Sequence, residues 1–316
     1  MSKSISRIYI RLPNWIGDVC MSLPSLQAVL ETGCEVVICA KPWAKDLLSG
    51  IKAYDFIALS GKWLEDRHLI KVHQQQKPSL GKSVGLLLPD SLTSALTFRL
   101  AGLPCAGYRD DGRSLLLKWP VSKPTDALHA VESWYYLTKT ALTYWGFSPS
   151  EKVSPYLSLA LTQQHQQEAD RIIASLNHQP FILIAPTAIG KHKGREKVWP
   201  HFDELTRRLQ QENYLVVMAP PPNEKEMALK NAPTATLLPP IGLGAFVALL
   251  KKATIVICND SGVSHLASLG APHQLTLIGV TEPTRTGPWS PSAKIVGKMD
   301  AWPSVDEVLT QIKQVI

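Results

Sequence analysis

ISRIYIRLPNWIGDVCMSLPSLQAVLE, residues 5–31, decides the fold class. Ile5–Leu12 reads as a buried strand, Pro13–Asp18 as a loop, and about Val19–Glu31 as an apolar-periodic helix. The same order repeats outward. Strands are expected at Glu35–Ala40, Asp55–Leu59 and Val84–Leu88, and helices at Pro42–Gly50, Trp63–Gln76 and Ser91–Ala101, the last stopped by Gly102. Strand followed by helix, over and over, argues for parallel βαβ units. A long helix, about Ala127–Trp145, closes this half.

Gly146–Pro155, with Gly, Ser and two prolines, reads as a linker between a unit at 1–150 and another at 151–316. In the second half, strands are expected at Phe181–Ala185, Tyr214–Ala219, Thr254–Cys258 and Gln274–Val280. Helices are expected at Gln163–Leu176, Pro200–Glu212, Glu224–Lys230 and Gly244–Lys252, around His265, and at Ser304–Val315 with Asp306 and Glu307 in its first turn. The architecture is therefore α/β and open, with two lobes. Ligands of such sheets bind beyond the carboxyl ends of the strands.

Composition narrows the function. Apolar residues at 45% and charged residues at 19% fit a chain with a real core and argue against disorder. The apolar run at the N-terminus is cut by Arg7, Arg11 and Asp18, and no stretch is long enough to span a bilayer, so a cytoplasmic protein is expected. Five cysteines, with no CxxC and no His at zinc spacing, read as buried reduced thiols. A net charge of +7 points to phosphorylated sugars or an anionic membrane face. Nucleic acid is disfavoured, because no dense Lys/Arg block is interleaved with aromatics.

Three strand-to-helix loops carry candidate chemistry. In Pro13–Asp18, Gly17 permits a tight turn and Asp18 stands at a helix start, where an N-cap explains it as well as catalysis does. In Asn259–His265, NDSGVSH, a helix N-terminus offers N–H groups to a diphosphate, and an acidic side chain can accept from sugar hydroxyls. Here too Asp260 or Ser261 would serve as a plain cap. In Pro186–Pro200, the cations Lys191, His192, Lys193, Arg195 and Lys197 suit phosphate neutralisation, without Walker A spacing.

Together RLPNWIGDVCMSLP at 11–24, Lys197–Pro200, NDSGVSHLASLGAP at 259–272 and TRTGPW at 284–289 resemble glycosyltransferase family 9, the ADP-heptose–lipopolysaccharide heptosyltransferases. The resemblance implies a GT-B fold: two Rossmann-like lobes with a cleft between them, acceptor on the first and nucleotide sugar on the second. It makes Asp18 the general base of an inverting displacement, with Asn14, Trp15 and Gly17 at the acceptor. Lys197 and the helix start at Ser261 and Gly262 would stabilise the leaving diphosphate, and Asp260, His265, Thr187 and Glu224 would meet the donor. No metal or cofactor is implied beyond ADP-heptose as substrate, and the acceptor would be a phosphorylated lipopolysaccharide core at the inner membrane surface of a Gram-negative bacterium. The chain departs from the family pattern in having Thr187 after Pro186, and Glu196 before Lys197. Two rival readings remain at this stage: a GT-B enzyme with another nucleotide sugar or acceptor, and a sugar-nucleotide-binding protein without catalysis.

Overall fold

The computed structural model describes residues 4–192 and 194–316. The chain forms two compact units, Met1–Lys45 with Ile51–Ser154, and Asp46–Gly50 with Pro155–Ile316.

In the first unit the order is β1 (Ile5–Arg11), α1 (Ile16–Met21), α2 (Leu23–Leu30), β2 (Glu35–Ala40), α3 (Ala44–Leu47), β3 (Asp55–Ala58), α4 (Trp63–Gln76), β4 (Lys82–Leu87), α5 (Leu92–Leu100), β5 (Cys105–Tyr108), β6 (Trp119–Val121) and α6 (Ala130–Tyr144). The six strands make one parallel sheet in the order β3-β2-β1-β4-β5-β6. Successive strands run outward from β1 in one direction to β3, then from β4 in the other. The chain therefore reverses between β1 and β4, and the loop after β1 stands at that switch point, where open α/β sheets hold their ligands.

The second unit follows with α7 (Gln163–Ser175), β7 (Phe181–Ala185), β8 (Lys191–His192), β9 (Arg195–Glu196), α8 (Phe202–Gln211), β10 (Leu215–Met218), α9 (Lys225–Asn231), β11 (Thr236–Leu237), α10 (Leu243–Leu250), β12 (Ile255–Asn259), α11 (Gly262–Ala267), β13 (Gln274–Ile278), β14 (Ala293–Gly297) and α12 (Val305–Ile312). Its six-stranded parallel sheet has the order β11-β10-β7-β12-β13-β14. The switch point here lies between β7 and β12. Both candidate loops of this half, after β7 and after β12, leave from it.

The central strands are buried along their whole length, as the continuous apolar runs FILIA at 181–185 and IVIC at 255–258 require. One face of the first sheet packs Tyr9, Val37 and Leu87 against Ile70 of α4 and Phe98 of α5, and each large side chain so buried stabilises the unit by about 1.5–3 kcal/mol. In the second, Trp199 and Phe202 sit fully buried among Ile184, Ile257, Leu277 and Val308.

The structure corrects several expectations. The helix expected at 19–31 starts three residues earlier and is two helices, broken at Ser22 just before Pro24, which enters the first turn of α2 where its missing N–H costs little. Four strands escaped the sequence pattern. β5 reads CAGY, β6 carries Pro120 on an edge, β11 has two residues, and β14 is an edge strand with mostly exposed side chains. The stretch before Trp199, where a loop is expected, contains the antiparallel hairpin β8–β9. Elsewhere the expectation holds: Ser304 caps α12, Oγ accepting from Glu307 N at 3.2 Å while Glu307 Oε2 accepts from Ser304 N at 2.7 Å. All five cysteines are free, and all but the half-buried Cys34 are buried. Among the described residues no helix is long and apolar enough to cross a membrane.

Candidate active site

The first set of candidate residues sits where β1 ends. Arg11, the last residue of that strand, is buried, and burial lowers its pKa. Its guanidinium donates to the Leu12 carbonyl and, at 2.6 Å, to Asn14 Oδ1. These bonds bend the chain just past the sheet and hold Asn14. Trp15 follows as the N-cap residue of α1 with its ring 74% exposed, and its side chain caps nothing. The helix therefore begins at Ile16. Asp18 lies within its first turn and is not the cap, and Gly17 is a buried helical residue without a left-handed φ, so neither needs a turn to explain it.

Asp18 is half-buried, and among the described residues its carboxylate makes no hydrogen bond or ion pair. Burial pushes its pKa above the usual carboxylate value. A carboxylate that caps nothing, pairs with nothing and is more basic than usual is suited to accepting a proton from a bound hydroxyl.

The second set gathers at the switch point of the other unit. β7 and β12 pair in register through Ala185 and Cys258, so the loops after them start side by side. Asn259, the last residue of β12, is fully buried and ties both together. Its Oδ1 accepts from the Trp199 backbone N–H at 2.8 Å, and its Nδ2 donates to the Ala185 and Thr187 carbonyls at 3.3 and 3.2 Å. Trp199, fully buried, donates Nε1–H to the Pro303 carbonyl at 2.8 Å, which anchors the segment carrying Lys197. Asn259 thus positions three candidate stretches at once: Thr187, Lys197 and Asp260. In the sequence Asn259 is only the first letter of NDSG. A polar residue closing a fully apolar strand was the available signal.

Beyond Asn259, Asp260, Ser261 and Gly262 are half-buried. Ser261 is the N-cap of α11 in extended backbone and makes no side-chain cap bond, so the cap explanation of this loop fails too. The helix stays fixed from the other side, where Gln274 Nε2 donates to the Ser264 carbonyl at 2.8 Å and Ser268 Oγ donates to Gln274 Oε1 at 3.3 Å. His265, one turn in, is buried.

Of the cationic loop, Lys197 is half-buried and among the described residues forms no ion pair, even with adjacent Glu196. Arg195 is different: it pairs with Asp300 in an exposed ion pair. Lys193 lies outside the described residues. Glu224 stands half-buried at the N-cap position of α9, in the loop after β10, the neighbour of β7. Further along, Gly287 N donates to the Pro283 carbonyl at 2.6 Å, and a Cβ at Gly287 would lie 2.7 Å from that oxygen, so only glycine fits this turn. Among the described residues no group of three or more His, Cys, Asp or Glu side chains is placed to hold a metal ion.

Comparison with known proteins gives the family and the fold. The model of glycosyltransferase family 9 (heptosyltransferase) matches residues 78–315. Lipooligosaccharide heptosyltransferase 2 of Haemophilus influenzae is 25% identical over 305 residues, 90% of this chain and 86% of the relative. Among solved structures, E. coli ADP-heptose lps heptosyltransferase II superposes with a TM-score of 0.79 at 21% identity over 98% of each chain. The E. coli heptosyltransferase WaaC with ADP gives 0.77 at 19% identity, over 98% of this chain and all of that one. The fold is accordingly the two-lobed α/β fold of these enzymes. This chain belongs to glycosyltransferase family 9, the heptosyltransferases, and is an enzyme of glycosyl transfer.

Proposed function

We propose that the enzyme moves L-glycero-D-manno-heptose from ADP-heptose to the inner core of lipopolysaccharide, inverting the anomeric centre, with Asp18 as general base. The observation that carries this is the Asp18 carboxylate: half-buried, without a partner among the described residues, raised in pKa, and at the switch-point loop of the first sheet. The names of the relatives support the substrates, since they include a lipooligosaccharide heptosyltransferase and a heptosyltransferase with ADP.

In this mechanism an acceptor hydroxyl held by the first unit, beside Asn14, Trp15 and Gly17, gives its proton to Asp18 as its oxygen attacks the anomeric carbon. The bond from that carbon to the β-phosphate oxygen breaks in the same displacement, and ADP leaves with the bonding electrons. Lys197 and the N–H groups at Ser261 and Gly262 face the growing negative charge, which fixed donors stabilise strongly in a site shielded from water. Thr187, Glu224, Asp260 and His265 hold the rest of the donor. No metal and no further cofactor takes part. The enzyme works in the cytoplasm, in peripheral contact with the anionic inner membrane that displays its acceptor.

The test is transfer of heptose from ADP-heptose to a heptose-deficient core acceptor by wild type and Asp18→Asn. Wild-type turnover and a loss of at least ~10²-fold in the variant, with ADP binding kept, are expected. Full activity in the variant would remove Asp18 from the mechanism. An inert wild type that still binds ADP would mean another sugar or acceptor.

A further inference from the structure

α4 and α5 of the first unit lie side by side. Arg67 Nε donates to the Leu100 carbonyl at 3.1 Å, and Gln74 Nε2 to the Ala101 carbonyl at 3.0 Å. Their inner residues, Ile70, Ala95 and Phe98, enter the core of the unit. Their outer residues ought to be polar, and many are not. Trp63, Leu64 and Leu69 on α4, and Leu92 and Leu100 on α5, are all exposed, Leu64 by 57%. Single exposed leucines are ordinary; a group of them on adjoining helices marks a surface that meets something apolar.

Cations outnumber acids around this group, and Asp90, just before α5, is paired with Lys123 at 2.7 Å. Lys62, Arg67, Lys71 and Arg99 lie on or beside the two helices, and α5 has no acidic residue. Of the acids on α4, Asp66 is buried and accepts from the Ser60 and Gly61 backbone N–H groups at 2.7 and 3.1 Å, and Glu65 pairs with Lys62 at 2.9 Å. The same bias holds across the unit. The first unit carries 18 Lys and Arg against 12 Asp and Glu, the second 15 against 14, so nearly all of the chain's positive excess is in the first.

Exposed Trp and Leu rimmed by Lys and Arg is the composition of a helix face that lies in the headgroup layer of an anionic bilayer. We infer that the outer face of α4 and α5 is the membrane-seating surface of this enzyme. The occupant is an anionic phospholipid surface, with Trp63, Leu64, Leu92 and Leu100 entering the headgroup layer and Arg67, Lys71 and Arg99 meeting phosphates. The biological purpose rests on the reading of a lipid-borne acceptor, but the binding does not.

Flotation of the whole protein tests this with vesicles of phosphatidylethanolamine and phosphatidylglycerol, against vesicles of phosphatidylcholine alone. Wild type is expected to float with the anionic vesicles at least ~10-fold better, and less so as salt rises. Leu64→Ser with Leu92→Ser, and separately Lys71→Glu with Arg99→Glu, should each cut that binding ~10-fold or more. Met227→Ser with Ile295→Ser, exposed apolar positions of the second unit, should leave it unchanged. The two face variants change different chemistry, so misfolding of one leaves the other to decide. Equal flotation with phosphatidylcholine, no flotation at low salt, wild-type binding by both face variants, or an equal loss in the second-unit control each overturns the proposal. Transfer to a delipidated, soluble core acceptor separates it from the catalytic reading. Flotation without transfer leaves this surface standing and that reading fallen, whereas transfer without flotation does the reverse.

Discussion

Replacing Asn259 by alanine removes three hydrogen bonds from a fully buried position at the point where the proposed donor-site loops meet. The Trp199 N–H, bonded at 2.8 Å in the native protein, keeps no acceptor there. A buried donor so orphaned costs about 1–3 kcal/mol. The Ala185 and Thr187 carbonyls lose longer bonds, at 3.3 and 3.2 Å, and add less. A total of about 2–4 kcal/mol follows, which for a unit of this size lowers the melting temperature by about 5–15 °C. The functional effect should be selective. With Thr187 and Lys197 released from their shared anchor, kcat/KM for the nucleotide sugar should fall about 10- to 100-fold, as displacements on the scale of an ångström do, while KM for the acceptor holds. Asn259→Asp keeps the acceptor for Trp199 N–H but turns an oxygen toward two carbonyls, so it should do no better than alanine. The assays are thermal unfolding, ADP binding by calorimetry, and initial rates varied in each substrate. If Asn259→Ala melts within ~2 °C of wild type and keeps its donor kcat/KM within twofold, the anchoring argument is wrong.

Other consequences follow from single groups. Because burial raises the Asp18 pKa, the acidic limb of kcat/KM against pH should lie above the range of an ordinary carboxylate, activity rising as the base deprotonates; a limb at the usual carboxylate value would show that Asp18 is not the titrating base. Lys197→Ala should cost about 10²-fold or more in kcat if this lysine meets the leaving diphosphate, and a loss under threefold would assign that role elsewhere. At the opposite end of the first sheet, Tyr9 Oη and His73 Nδ1 are 2.9 Å apart and His73 Nε2 and Asp55 Oδ2 3.1 Å. That arrangement fits a neutral imidazole, and burial lowers the His73 pKa despite Asp55. The stability it contributes is present above the ordinary histidine value and is lost as pH falls through the depressed one. The melting temperature should therefore drop below about pH 6.5 in wild type, and drop less steeply in His73→Gln; equal slopes would count against His73. Gly287→Ala should destabilise by about 1–3 kcal/mol, because the new Cβ meets the Pro283 carbonyl at 2.7 Å, and an unchanged melting temperature would mean that the turn yields freely.

The βαβ order was legible wherever a strand is buried on both faces, because such strands leave runs like EVVICA, FILIA and IVIC that no solvent-facing segment would carry. It failed at CAGY, where Gly107 replaces a larger side chain because the Arg113 guanidinium lies 2.9 Å from its Cβ position, and at the sheet edges, where exposure erases the pattern. The loops were found for the same local reason, since Pro, Asn, Gly and Asp cluster between periodic segments.

What the sequence by itself determined is the class of fold, the two halves, the strand ends from which the candidate loops leave, and through its motifs the family. What only the tertiary structure decided is which residues in those loops are spent and which remain available. Asp18 ceased to be a candidate cap once α1 proved to begin at Ile16, a matter of the Trp15 backbone and not of any residue preference. Arg195 pairs with Asp300, 105 residues on, and Asn259 with Trp199, 60 residues back. Periodicity and turn chemistry act over a few neighbours along the chain. Hydrogen bonds and ion pairs between distant segments arise only when the sheet has brought its strand ends together, so no local pattern carries them.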